Sequence, residues 1–277
     1  MIRGSDVYRV KVFTEDSKSG NLAGVVLDTA SLSDIEMQEI ARQVNASETA
    51  FVFSSTNADY KVRWFTPNTE VGFCVHATLA TLATLEHKNL LYKPEVLIET
   101  SHTILQAKKV NGKWFVRVED FVLLEDQIDR NFLCDSLKVK QSSLSGVPRI
   151  VQIFSDKELI VPVQHLALLQ ELEPEISHYA NICNQLKVTG ISIFTSETFD
   201  PALSYHTREF APLYGYLEDP LCGMAAGAIA AYLRTQGNQQ PLRIEQGVFL
   251  NSPGIIEVIP ENTHFWIGGS CTILRAT

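Results

Sequence analysis

No stretch of the chain is basic enough to follow a phosphate backbone. Acidic side chains outnumber basic ones, 32 to 23, giving a net charge of −9 and a sequence pI near 5.3. Nucleic-acid partners need a Lys/Arg stripe, so none is expected. Cysteine is sparse: Cys74, Cys134, Cys183, Cys222 and Cys271 lie far apart, are odd in number and form no CxxC. That spacing argues against a disulfide framework or a structural zinc site and fits a reducing cytoplasm. The seven histidines are scattered, so no metal centre is expected. Apolar runs reach about a dozen residues, short of the roughly 20 that span a bilayer. Met1–Asp6 leads into an alternating segment rather than the apolar core of a secretory signal. Low-complexity tracts are absent as well.

What is present is ordinary globular composition, 45% hydrophobic and 20% charged over 277 residues, enough for one large or two medium domains. Short alternating or β-branched runs recur at 7–13, 24–27, 50–53, 60–65, 96–100, 114–118, 150–154, 191–195 and 255–259. Between the second and third, Ser33 and Glu36 make a capping box and Leu32 with Met37 a hydrophobic staple. Ile35, Ile40, Ala41 and Val44 then suggest the buried stripe of a helix.

A weak internal repeat organises the chain. Arg63-Trp-Phe-Thr-Pro67 leads to Cys74-Val-His-Ala77 and an apolar helix. Arg208-Glu-Phe-Ala-Pro212 leads, with three more loop residues, to Cys222-Gly-Met-Ala225 and another. A helix without a polar face must be enclosed, and short strands supply a curled sheet to enclose it. The expected fold is α+β: two pseudo-symmetric domains, each a curled, mostly antiparallel sheet or barrel around a central apolar helix. The charged segment 119–141 suggests domains at 1–125 and 126–277, with a last strand free to return to the first. Pro174–Ser177 reads as a surface loop.

The chemistry is expected at the two helix starts. A helix amino end offers unpaired N–H groups and the positive end of its dipole, an anion site. Two such ends converging on one cleft would hold a small carboxylate, or the enolate that forms when a proton leaves an adjacent carbon. The acid/base candidates are Glu48, just before a strand that reads as buried, His76 in the first turn of the first helix, and Asp219 ahead of the second. Burial raises a carboxyl pKa towards that of a working base. The helix dipoles are expected to favour thiolate at Cys74 and Cys222. Each has a plainer reading: a satisfied edge carboxylate, a capping histidine, a turn aspartate before Pro220, and two small buried hydrophobes.

At these residues the sequence resembles the PhzF-type phenazine-biosynthesis isomerase family. Gly20-Asn21, Ser47-Glu-Thr-Ala-Phe51, Arg63-Trp-Phe-Thr-Pro67, Glu70-Val71, Cys74-Val-His-Ala-Thr78, Arg208–Pro212, Glu218-Asp-Pro220, Gly223, Gln246-Gly247 and Gly268-Gly269 follow its motifs in order. The resemblance implies a diaminopimelate-epimerase-like fold, a homodimer and a cofactor-free isomerase acting on a small organic or amino acid, cyclic or open-chain. It implies Glu48 as proton carrier, His76 and Asp219 as orienting groups, and Gly223 as an N–H donor to substrate. Val75 replaces the motif's Gly, Met224 its Ser and Cys222 its usual Thr, so the substrate-binding positions 75, 223 and 224 form a less polar pocket than the family pattern. Two alternatives share the fold: an epimerase or racemase using Cys74 and Cys222 as paired thiols, and a binding protein that has lost catalysis.

Overall fold

The computed structural model describes residues 7–119, 121–125, 128–215 and 217–274; Met1–Asp6, read above as preceding the first strand, lie outside them. In chain order the elements are β1 (Val7–Val12), β2 (Asn21–Val26), α1 (Asp34–Val44), β3 (Glu48–Phe53), β4 (Tyr60–Phe65), β5 (Glu70–Val71), α2 (Val75–His87), β6 (Glu95–Glu99), β7 (Ile104–Val110) and β8 (Lys113–Val118). They continue as β9 (Phe121–Leu123), α3 (Arg130–Leu137), β10 (Arg149–Ile153), β11 (Asp156–Pro162), α4 (Leu166–Glu171), α5 (Ile176–Leu186) and β12 (Gly190–Thr195). The last are β13 (Tyr205–Phe210), β14 (Glu218–Asp219), α6 (Gly223–Thr235), β15 (Leu242–Gln246), β16 (Gly254–Glu261), β17 (His264–Gly269) and β18 (Cys271–Ile273). The chain forms two compact units: one runs to Arg117 and resumes at Trp266, the other spans Val118–Phe265. No helix among the described residues is long and apolar enough to cross a membrane.

In the first unit the strands pair in the order β18, β1, β2, β3, β4, β6, β7. All pairs are antiparallel except β2–β3 and β4–β6. β8 continues from β7 and pairs in turn with β17, the strand just before β18, so the sheet curls back on itself. α2 packs inside against β1, β2, β3 and β18. Its three buried threonines stay compatible with that enclosure because Thr78, Thr81 and Thr84 each donate a hydroxyl hydrogen to the carbonyl four residues back. α1 covers the other face of the sheet. Its capping box at Ser33 and Glu36 forms as expected, and Met37, Ile40, Ala41 and Val44 are buried. Ile35 is not part of that stripe. It is 82% exposed, because two residues before Met37 lie on the far side of a 3.6-residue turn.

The second unit repeats the plan: β9, β10, β11, β12, β13, β15, β16, with the parallel pairs again third and fifth. α6 packs against β9–β12 and β16. Helices α3, α4 and α5 contribute to the cluster on the opposite face, where Leu133, Leu169, Tyr179 and Ile182 meet Leu159, Ile191 and Phe210. α5 begins at Ile176, inside the stretch expected to be loop. Its Glu175 N-cap makes no side-chain hydrogen bond, so no capping signature marked it.

The registers align the units residue by residue. Arg63 and Arg208 each fork onto a glutamate, Glu70 and Glu218, through Nε and Nη2. Each arginine also lies over the phenylalanine two residues on, Phe65 or Phe210. The environments differ. Arg63 lies between Glu70 and the largely exposed Asp34, whereas both members of the Arg208–Glu218 pair are only 7% exposed and Arg208 also donates to the carbonyls of Leu169 and Leu172. Arg208→Ala strands a buried carboxylate and is expected to cost about 3 kcal/mol or more, whereas Arg63→Ala costs about 1 kcal/mol or less. Urea midpoints of the two variants measure the contrast.

Candidate active site

The short connection from α1 brings Glu48 to the first position of β3. Asn45 ends the helix in the left-handed conformation at φ 50°, and Ser47 hydrogen-bonds Asn21 of β2 at 2.9 Å. Glu48 pairs with Ala23 in register, on the face of the sheet that meets α2. α2 starts with Cys74 as its N-cap, the sulfur accepting the Ala77 N–H at 3.5 Å. One turn of helix therefore presents Cys74 and His76 to the start of β3.

These three side chains meet. His76 Nε2 lies 3.1 Å from Glu48 Oε2, and His76 Nδ1 lies 3.2 Å from Cys74 Sγ. The imidazole thus bridges a carboxyl and a thiol, with all three residues buried. The Glu48–His76 approach is close enough for charge attraction, yet Glu48 Oε2 and His76 Nε2 are both buried without a hydrogen-bond partner. Buried polar atoms are rarely left so.

Electrostatics divides the roles. Burial opposes a charge on His76, but Cys74 and Glu48 more than offset it and hold the imidazole pKa well above its ordinary value. Burial also pushes the Cys74 thiol up, with the Glu48 charge adding to the effect. The groups act on one another: Cys74, then Glu48, raise the imidazole, and Glu48 adds to the rise of the thiol. The expected Cys74 thiolate is therefore not found: at a fully enclosed helix start, desolvation outweighs the dipole.

Cys222 repeats this result in the second unit, where burial and then the charges of Asp219 and Glu209 raise its thiol well above the usual range. Asp219 is buried at the end of β14 and accepts the Leu221 N–H at 3.0 Å, shaping the turn into α6. Gln246 braces the same turn, accepting from the Cys222 N–H at 3.2 Å and donating to the Asp219 carbonyl at 2.8 Å. Gly223, the first residue of α6, is buried and Met224 half-buried, while Val75 is buried at the start of α2. Sequence reasoning passed over Gln246 as a bracing group, although the Gln-Gly pair stood among the motifs.

The ligand atoms of Glu48, Cys74 and His76 lie within 4.8 Å of one another, so they could gather round a cation, which the scattered histidines did not suggest. Of the two ring nitrogens, Nδ1 meets the Cys74 sulfur, while Nε2 faces Glu48 Oε2 without a hydrogen bond.

A histidine raised in this way stabilises the fold below its unfolded pKa of about 6.5, and that contribution is lost as pH climbs through the folded value. In an NMR titration His76 is expected to keep its proton to higher pH than an exposed histidine. Glu48→Gln should return it towards the ordinary range, and an unchanged His76 titration in that variant would contradict the pairing.

Known proteins share this organisation. A family described as phenazine biosynthesis-like protein, PhzC-PhzF, matches residues 10–275. An uncharacterised isomerase of Clostridium acetobutylicum is 32% identical, over 93% of this chain and 90% of its own. The isomerase YfhB of Bacillus subtilis, also uncharacterised, is 31% identical over 93% and 91%. The crystal structure of a PhzF-family phenazine biosynthesis protein from Bacillus anthracis superposes with a TM-score of 0.87 at 28% identity, covering 99% of this chain and 98% of that one. A hydroxyproline epimerase from Agrobacterium vitis shares the fold alone, at TM-score 0.62 and 11% identity over 99% and 91%. The match along nearly the whole chain and the curled sheets around α2 and α6 agree: this chain belongs to the PhzC-PhzF, phenazine biosynthesis-like family.

Proposed function

We propose that the chain is an isomerase that moves a proton within a small carboxylic acid, with Glu48 as the acid/base. The observation that supports this best is the facing pair of unsatisfied buried atoms, Glu48 Oε2 and His76 Nε2. A carboxyl group held there is free to form one more hydrogen bond, or to take a hydrogen from carbon. Glu48 as carboxylate removes a proton from the carbon next to the substrate's carboxyl. The C–H electrons move into the adjacent π system, and the protonated Glu48 returns the hydrogen to another carbon of that system. His76, charged and fixed by Cys74 on its far side, offsets the negative charge that develops. Electrons and protons balance within the substrate, so the reaction consumes no oxidant or reductant.

The family likeness supports Asp219 and Gly223 as groups that orient substrate, and Val75 and Met224 as the less polar lining that would set its identity. Isomerases among the relatives support the reaction class, and the five free cysteines support the cytoplasm as its compartment. The dimer is carried over from the family. The two-thiol alternative loses ground because burial raises both Cys74 and Cys222, when such a mechanism needs one of them as thiolate. The non-catalytic alternative gives no reason to keep Glu48, His76 and Cys74 together in an enclosed site.

The test is deuterium incorporation from D2O into a panel of β,γ-unsaturated cyclic and acyclic amino and hydroxy acids, followed by NMR. An acid that exchanges with the natural protein should lose about 100-fold or more of its rate with Glu48→Gln, while the circular dichroism spectrum is unchanged. Exchange that survives the substitution undiminished would overturn the assignment.

A further inference from the structure

Gly190 of β12 stands where Glu48 stands in β3. The two registers show it: Thr49 pairs with Phe65 and Ile191 with Phe210, so the preceding residues, Glu48 and Gly190, correspond. Gly190 has no side chain, and the space is taken by two others. A Cβ built on Gly190 would lie 2.4 Å from Glu158 Oε2 and 2.6 Å from Glu209 Oε1. Glu158 comes from β11, opposite Gly190 in register, and Glu209 from β13, opposite Ser192. All three polar residues are buried.

Counting hydrogens decides their state. Ser192 Oγ lies 2.9 Å from Glu158 Oε1 and 2.5 Å from Glu209 Oε2. A hydroxyl has one hydrogen and can donate to one of them only, so the other contact needs a hydrogen on the carboxyl. The two carboxyls also crowd one space, since both reach within 2.6 Å of a single Cβ position on Gly190, and two bare carboxylates that close have no donor between them. Among the described residues, Asp156 and Asp219 act on the pair as further negative charges, and Cys183 and Cys222 are thiols that feel its charge. Arg208, next to Glu209 in the strand, turns to the opposite side, towards Glu218 and the Leu169 and Leu172 carbonyls. Burial first, and for Glu209 the charge of Glu158 next, raise both carboxyls.

We propose that Glu158 and Glu209 share one proton, with Ser192 between them, and that this positioning pair sets the charge against which Cys222 ionises, beside Asp219, at the start of α6. With the proton in place the pair carries one negative charge. When the proton leaves to water, two carboxylates face Cys222 and Asp219. Nothing in this depends on the role given to Glu48.

Infrared spectroscopy and alkylation test it. The natural protein at neutral pH is expected to show the C=O band of a buried carboxylic acid, shifted in D2O. The band should persist in Glu48→Gln and vanish in Glu158→Gln and in Glu209→Gln. Iodoacetamide labelling of Cys222, read by peptide mass spectrometry, should accelerate with pH in the natural protein and flatten as the shared proton leaves. In Glu209→Gln it should accelerate without that step and run about tenfold faster above it, since one buried charge shifts a neighbouring pKa by about one unit or more. The urea midpoint should follow the same proton. The folded pair holds it where unfolded glutamates, with pKa about 4.3, have lost theirs, so stability falls as pH rises through that window, and Glu209→Gln flattens the decline. A spectrum of the natural protein without the band, a band that survives both pair substitutions, or identical Cys222 profiles would overturn the proposal. The first of these needs no variant to fold, and none of the three is touched by the outcome of the Glu48 exchange experiment.

Discussion

Enclosure of α2 is the constraint on which the rest of the first unit depends. A helix whose first turn and inner faces are all buried cannot use water to solvate the groups at its start, so Cys74 and His76 must find partners inside the protein. The sheet supplies one, Glu48, and supplies it at the first residue of a strand, where the preceding turn fixes its position. An imidazole set between thiol and carboxyl is the arrangement that enclosure permits. The same enclosure defeats the helix dipole at Cys74, and at the half-buried Cys222 the charges of Asp219 and Glu209 add to the effect.

The architecture was largely legible because it is written twice. Two Arg-x-Phe-x-Pro segments, each followed by a cysteine and an apolar helix, are enough to argue for two similar units, and the strand runs from Val7 to Ile259 fall within or beside observed strands. What could not be read is contact made across strands. Glu158, Ser192 and Glu209 are separated by 34 and 17 residues, and each sits in an ordinary strand pattern with no motif of its own. Only the pairing of β11, β12 and β13 brings them together. The helices α3, α4 and α5 escaped for a related reason: α3 and α4 are short, at 8 and 6 residues, and α5, as long as α1, lacks the capping pattern that announced it.

Glu48 and His76 were legible as candidates through motif and context, yet their bridge to Cys74 was not. Two residues apart at a helix start, Cys74 and His76 need not touch; they do because Cys74 serves as N-cap in extended conformation, at φ −148°, and turns its sulfur back over the first turn. The error over thiolate has the same origin. The dipole is visible in a sequence as a helix start, whereas desolvation depends on everything that surrounds it.

The arginine forks mark where the two units tolerate variation. Three additional residues separate Pro212 from Glu218 compared with Pro67 and Glu70, but Glu70 to Cys74 and Glu218 to Cys222 are the same length. Each fork acts as an anchor: slack upstream of it is absorbed in a surface turn, and the count downstream decides which side chain arrives at the mouth of the helix. An insertion between fork and helix would rotate a different residue into that place, so the distance from anchor to helix fixes which side chain faces the site.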